Sequence, residues 1–381
     1  MTDSASQRPD PPEMVDWDLA VATANRFVRP GPEVSGAEAR RVVDELRGGA
    51  QRSEGLVRGF TGLSAHVATA PVVVVDRPGW VQANADGFRA IMRPVVAKIV
   101  DKRGTPSATS AAIGSRITGV EAGALLGYLS GKVLGQFDPF WTGGTRDGAV
   151  TGGVPDQAAG SALVPAPVGR MLLVAPNIVH VERELDVDPR DFRLWVCLHE
   201  ETHRVQFTAV SWMRDHLNNE IQALVDATDF DAARLAAMAR DGMEQFGRLL
   251  RGDEDVSLLD LFQTRAQREI VDRITATMSL LEGHAEVVMD GVGPEVIPSV
   301  AQIREKFNRR RKGGGGLDQL LRRLLGFDAK LRQYRDGAVF VRGVVDRVGM
   351  DGFNQVWTSP NTLPTKAEIG DPTAWVTRVH G

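Results

Sequence analysis

The amino-acid sequence predicts a predominantly helical α+β fold with a small β-sheet. Three observations lead there. Apolar residues recur at helical spacing through several long segments. Strand-like runs are confined to two short stretches, VVVV at 72–75 and RMLLVAP at 170–176. Of the 381 residues, 43% are apolar and 25% charged, the balance of an ordinary globular protein able to bury a substantial core.

Taken in order, residues 15–28 and 37–48 read as amphipathic helices separated by the breaker RPGPEVSG. VVVV at 72–75 is a short strand and DRPGW after it a turn; helices follow at 84–101 and 117–136. In the second of these, Gly119, Gly123, Gly127, Gly131 and Gly135 recur every fourth residue and so share one helix face. Each glycine costs about 1 kcal/mol of helix propensity relative to alanine. A stripe of them therefore implies a compensating contact, and a second helix packed backbone to backbone is the expected one. RMLLVAP at 170–176 resumes as a strand that IVHVEREL at 178–185 extends. From Asp188 the pattern is mostly helical to about residue 290, and further helices are expected at 317–336 and 337–348 before a Pro-rich tail.

These elements divide the chain into a disordered tail at 1–12, a helical region at 13–141, a Gly/Pro-rich loop at 142–169, and a main region at 170–381 that forms one integrated domain with 13–141. RRRKGGGG at 309–316 reads as a solvated surface segment rather than a nucleic-acid patch. The formal charge of −4 gives no basic field to draw nucleic acid. One cysteine, Cys197, excludes an internal disulfide and fits a reducing compartment. The N-terminal residues lack the apolar core of a signal peptide, and the most apolar segment, 117–136, is interrupted by Glu121 and Lys132. A cytoplasmic protein without membrane contact is expected; oligomeric state is not readable.

The chemistry lies in DPRDFRLWVCLHEETHRVQF, 188–207. Asp188 before Pro189 is a helix start: an N-cap acceptor, then a proline whose missing N–H costs nothing. On that helix Phe192, Trp195, Val196, His199, His203 and Gln206 share a face. The two histidines, one turn apart, project side by side as two ligands of one tetrahedral Zn2+ would. Glu200 follows the first histidine at the position of a general base in H-E-x-x-H. The competing reading is a pair of surface histidines flanked by acids in i,i+4 contacts.

A catalytic zinc needs a third protein ligand, and MSLLEGHAEVVMD at 278–290 offers one. There Met278, Glu282, Ala285 and Met289 share a stripe, so Glu282 points among apolar neighbours, where an unpaired carboxylate would be costly. Glu286, four residues on, could bond the outer nitrogen of a ligand histidine. His284 is the rival third ligand but lies about 200° around the helix from Glu282, so both cannot face one metal. A salt bridge to an arginine is the alternative role for Glu282.

HEETH followed some eighty residues later by LLEGHAE resembles the gluzincin plan, in which two histidines and a downstream glutamate hold zinc. The stretches GKVLGQFDPF, LLVAPNIVHVERELDVDPRDFRLWVCLHEETHRVQF, LLEGHAEVVMDGVGPEVIPSV and VDRVGMDGFNQVWTSPNTLPT resemble an actinobacterial family of zincin-like metalloproteases, some labelled as associated with biosynthesis of a deazaflavin coenzyme. The resemblance covers most of 15–379 and implies a zincin-like core. It implies His199, His203 and Glu282 as ligands, Glu200 as base and Glu286 as an acid outside the ligand set. Glu201 and Arg204 depart from the stricter peptidase pattern, which prefers uncharged residues there.

The expected activity is hydrolysis of a peptide or small amide by zinc-activated water, with Glu200 moving the proton. Tyr334 or His180 could donate to the developing oxyanion, and the strand at 170–175 could offer an edge to an extended peptide. Two readings stay open beside peptide hydrolysis: a zinc-stabilised binding or scaffold protein, and a hydrolase that acts on a small amide or ester rather than a peptide.

Overall fold

The computed structural model describes residues 13–64, 70–103, 107–141, 169–228, 264–312 and 327–381. The expected tail at 1–12 and nearly all of the loop at 142–169 lie outside them. The chain divides into two compact units. One comprises Met1–Glu33, Val75–Leu134 and Val174–Asn177; the other comprises Val34–Val74, Gly135–Leu173 and Ile178–Gly381.

The first unit is built on α1 (Trp17–Phe27), α3 (Arg77–Arg103) and α4 (Ala108–Ser130). Asp16 caps α1 by accepting from the Leu19 N–H at 2.9 Å. The glycine stripe of α4 packs on α1 as expected. A Cβ at Gly119 would lie 2.6 Å from the Asp16 carbonyl oxygen, one at Gly127 2.9 Å from that of Ala24, and one at Gly123 would collide with that of Ala20. The stripe stops there, because α4 ends at Ser130 and Gly135 already belongs to a strand.

The second unit holds nearly all of the sheet and most of the helices. Its three strands, β1 (Val72–Val75), β2 (Gly135–Asp138) and β3 (Arg170–Val174), lie in the order β1-β3-β2. β2 and β3 are antiparallel, with Gly135 opposite Leu173 and Asp138 opposite Arg170. β3 is therefore central, and the expectation that it offers an edge to a substrate is corrected: both its sides are occupied, and β1 and β2 hold the edges. Nor does β3 extend through 178–185. Residues Ala175–Leu185 form α5, which buries Ile178, Val181 and Leu185 at helical spacing.

Helix α2 (Gly36–Thr61) runs well past the expected end at 48, closing on Gly62 in the left-handed conformation (φ 69°). Gly48-Gly49 looks like a stop in sequence. Gly49 instead admits the Cys197 side chain, whose Sγ would lie 3.1 Å from a Cβ there. Cys197 belongs to α6 (Pro189–Ala209), which packs against α2, β2 and α8 (Arg265–Val296). α7 (Met213–Ala227), α9 (Val300–Lys312) and α10 (Phe327–Phe353) surround this set. The expected break at 336/337 is absent because Gly337 is a contact point rather than a turn. A Cβ there would strike the Ser279 carbonyl of α8, and one at Gly283 the backbone of Gly337. The true interruption of α10 comes at Gly349 (φ 71°, ψ 176°). The Pro-rich tail is ordered, ending in α11 (Lys366–Ile369) and α12 (Pro372–His380), whose Trp375 is buried and donates to the Thr362 carbonyl at 2.8 Å. Among the described residues no helix is long and apolar enough to cross a membrane.

Candidate metal centre

The helix that carries the histidines is fixed at its start. The Asp188 carboxylate accepts from the N–H groups of Arg190 and Asp191 at 2.9 and 3.0 Å, and Pro189 opens α6. One turn apart further along, the rings of His199 and His203 stand nearly perpendicular, with centroids 4.8 Å apart and interplanar angle 87°. Their Nε2 atoms are 3.3 Å apart. Glu282 reaches them from α8, its Oε2 3.5 Å from His199 Nε2 and 3.6 Å from His203 Nε2. α8 itself begins with a reciprocal cap between Thr264 and Gln267, and its glycine crossing with α10 falls at Gly283, beside the carboxylate.

These separations test whether a metal fits. Zn–N and Zn–O bonds of about 2.0–2.1 Å in a tetrahedron place neighbouring ligand atoms about 3.3–3.4 Å apart. The three edges found are 3.3, 3.5 and 3.6 Å. Two imidazole nitrogens and a carboxylate oxygen converging at that spacing fit a cation between them, and two nitrogens with one oxygen suit zinc better than calcium or magnesium. Among the described residues this is the one group of three such side chains with ligand atoms within 4.8 Å of one another.

Without a metal the cluster gathers protons instead. Burial disfavours charge on His203, but Glu282, Glu200 and Gln206 together outweigh it and raise its pKa to about 9. Glu200 is 6% exposed. Burial raises its pKa to about 8, with His203 pulling it down and Glu282 pushing it up. Its side chain lies on Gly135 of β2, where a Cβ would stand 2.5 Å from its Cγ and 2.7 Å from its carboxylate carbon and Oε1. The strand can pass this close only without a side chain, so Gly135 is a site residue that the reading of a glycine-striped helix misassigned.

Glu201 and Arg204, the departures from the stricter peptidase pattern, face away from the triad. They pair with each other at 2.7 Å, 1% and 4% exposed, and Arg204 also reaches Glu54 at 3.2 Å and the Ala70 carbonyl at 2.8 Å. Burial raises the Glu201 pKa to about 7 against the pull of Arg204. Through Glu54 they tie α6 to α2.

The other expected residues are distributed as follows. His284 is fully buried behind the site, stacked on Phe353 at 5.3 Å, and does not join the ligand group. Gln206, not Glu286, bonds the outer nitrogen of His203, at 2.9 Å. Glu286 lines the cavity of about 60 Å³ over His199 and Glu282, together with Trp195, Met289, Arg304 and Phe307, and its carboxylate lies 3.6 Å from Arg342. His180 sits on an exposed face of α5, 3.8 Å from Glu184, and is not among the cavity walls. Tyr334 falls within α10, but its side chain lies outside the described residues.

The sequence pattern of the zincin-like metallopeptidase family matches residues 15–376. The chain belongs to this family. Membership makes zinc the metal to expect at the His199, His203 and Glu282 group. The chain is also similar to the crystal structure of a candidate hydrolase with a novel fold from Chloroflexus aurantiacus. The two share 29% identity over 96% of this chain and 99% of that one, with a TM-score of 0.66. No curated protein matches it significantly.

Proposed function

We propose that this zincin-like protein is a zinc-dependent hydrolase of amide bonds, with peptides as the first substrate class to test. The observation that carries the reading is the convergence of three donor atoms at zinc-ligand spacing beside a buried carboxylate, that of Glu200. His199, His203 and Glu282 would hold the metal. When bound, zinc supplies water acidified toward neutrality and an electrophile that polarises the scissile carbonyl.

The remaining work falls to the chain. Glu200 takes the proton of the attacking water and returns it to the leaving nitrogen as the C–N bond breaks. Its burial suits this, because a carboxyl group whose proton affinity is raised toward the working pH can both take up the proton and give it back. Gly135 leaves Glu200 the room to lie between β2 and the triad. Trp195, Phe307 and Met289 give the cavity an apolar wall that would seat an apolar substrate group, with Glu286, Arg304 and Asn308 beside it. A small amide is the second reading, and the two substrate panels below separate it from the first.

The test is metal analysis of the purified protein beside Glu200→Gln and His203→Ala, with hydrolysis followed on panels of peptides and small amides. One zinc per chain is expected in the parent and in Glu200→Gln, with hydrolysis lowered about 10²–10⁴-fold in the latter. His203→Ala should lose the metal. Equal zinc in all three would overturn the ligand assignment.

A further inference from the structure

Behind the metal group runs a chain of three buried side chains whose hydrogen-bond polarity can be read in one direction only. The carbonyl oxygen of Leu281 can only accept. It lies 2.9 Å from the Gln206 side-chain nitrogen, so the amide NH2 of Gln206 must face it. The same NH2 lies 2.9 Å from His284 Nδ1, which therefore accepts, leaving the His284 ring proton on Nε2. With its nitrogen committed on that side, Gln206 turns its Oε1 to His203 Nδ1 at 2.9 Å. An amide oxygen can only accept, so His203 Nδ1 carries a proton. The remaining lone pair of the His203 ring is then on Nε2, the atom that faces His199 and Glu282.

We infer that Gln206 and His284 are positioning residues that lock His203 in the one neutral tautomer able to ligate a metal through Nε2. This rests on the metal-site reading above. It goes beyond that reading in assigning an orienting function to two residues that touch neither metal nor substrate.

Gln206 and His284 are both fully buried, so bulk water does not compete for their hydrogen bonds. The His284 ring is held in place by Phe353 and Trp357, at ring-centroid distances of 5.3 and 5.4 Å. A leucine or phenylalanine at 284 would remove the acceptor that holds the Gln206 NH2 away from His203. Were the amide to turn over, its NH2 would face His203 Nδ1, drive the ring proton to Nε2 and block the ligating atom. The α8–α10 glycine crossing fixes the backbone at Gly283, one residue from both Glu282 and His284, so ligand and positioning residue are placed by the same contact.

The experiment uses full-length protein labelled with 15N-histidine. Long-range 1H–15N spectra of the metal-free form are recorded at rising pH until the His203 ring signals stop shifting, and Zn2+ affinity is measured by chelator competition. The expected result is His203 with its proton on Nδ1 in the parent. Gln206→Leu should show a mixture of tautomers and a 10–100-fold weaker Zn2+ affinity. His284→Asn, whose Oδ1 can replace the Nδ1 acceptor, should keep both properties, whereas His284→Leu should lose part of both. That rescue separates positioning from mere packing and does not depend on Gln206→Leu folding. A His203 proton on Nε2 in the parent, or His284→Asn and His284→Leu with equal tautomer ratios and affinities, would overturn the inference. If the parent fails to bind Zn2+ yet shows the Nδ1–H tautomer with the expected variant pattern, the metal reading fails and the lock stands.

Discussion

Acid should destabilise the protein through His284 in particular. The ring is fully buried, and burial first, then the neighbouring charge on His203, lowers its pKa from 6.5 to about 3. The folded pKa is below the unfolded one, so between those values the unfolded chain binds a proton that the folded chain refuses. Above pH 6.5 the ring is neutral in both states and contributes no slope; as pH falls toward about 3, stability is lost, and below that no more is lost from this group. Each pH unit inside the window costs up to about 1.4 kcal/mol, so the step from pH 6.5 to 4.5 removes about 2–3 kcal/mol. The assay is urea unfolding of metal-free protein with chelator present, at half-unit steps from pH 7.5 to 4.5, for the parent and His284→Asn. The variant will be offset by its own packing cost, so the comparison is between slopes. Other titrating groups contribute equally to both and cancel. The parent's stability should fall more steeply by that amount below pH 6.5. Parallel curves would refute the reasoning, since they would mean that the ring is protonated in the folded state.

Four further substitutions test the site and the packing within each unit. Gly135→Ala would put a methyl group 2.5–2.7 Å from the Glu200 side chain, so hydrolysis should fall about 10²-fold while zinc content, measured by metal analysis, stays at the parental level; zinc loss would show that Gly135 shapes the ligand set instead. Arg204→Met strands the carboxylate of Glu201, 1% exposed, and should cost about 3–5 kcal/mol in denaturant unfolding, most of it recovered in Glu201→Gln/Arg204→Met. Gly123→Val, which collides with the Ala20 carbonyl of α1, should lower stability by about 3 kcal/mol in a thermal melt. Gly131→Ala, whose nearest neighbour would be 4.0 Å away, should be close to neutral.

The histidine pair was legible in the chain because it is a local pattern. The i,i+4 spacing of His199 and His203 fixes their common face once the capped helix from Pro189 forms, and nothing distant is needed to see it. Glu282 was legible for a different reason: a carboxylate on an apolar stripe demands a partner, and the apolar stripe is itself a local signal. The three glycines of α4 that pack on α1 announced their contact through the helix propensity they give up.

Other features depended on which segments meet. Gly135 looked like the fifth member of a stripe, and only the turn after Ser130 and the pairing of Gly135 with Leu173 bring it under Glu200. Gly337 and Gly49 carry the ordinary signature of breaks, yet each admits a neighbour that lies far away in sequence. The centrality of β3 follows from strand order, which short apolar runs do not encode. Gln206 stood on the right face of its helix, but its direction of bonding is set by a carbonyl and a ring 75 and 78 residues away. Local spacing determines which side chains share a surface. Tertiary packing decides which surfaces meet, and with that which nitrogen of His203 is left to bind.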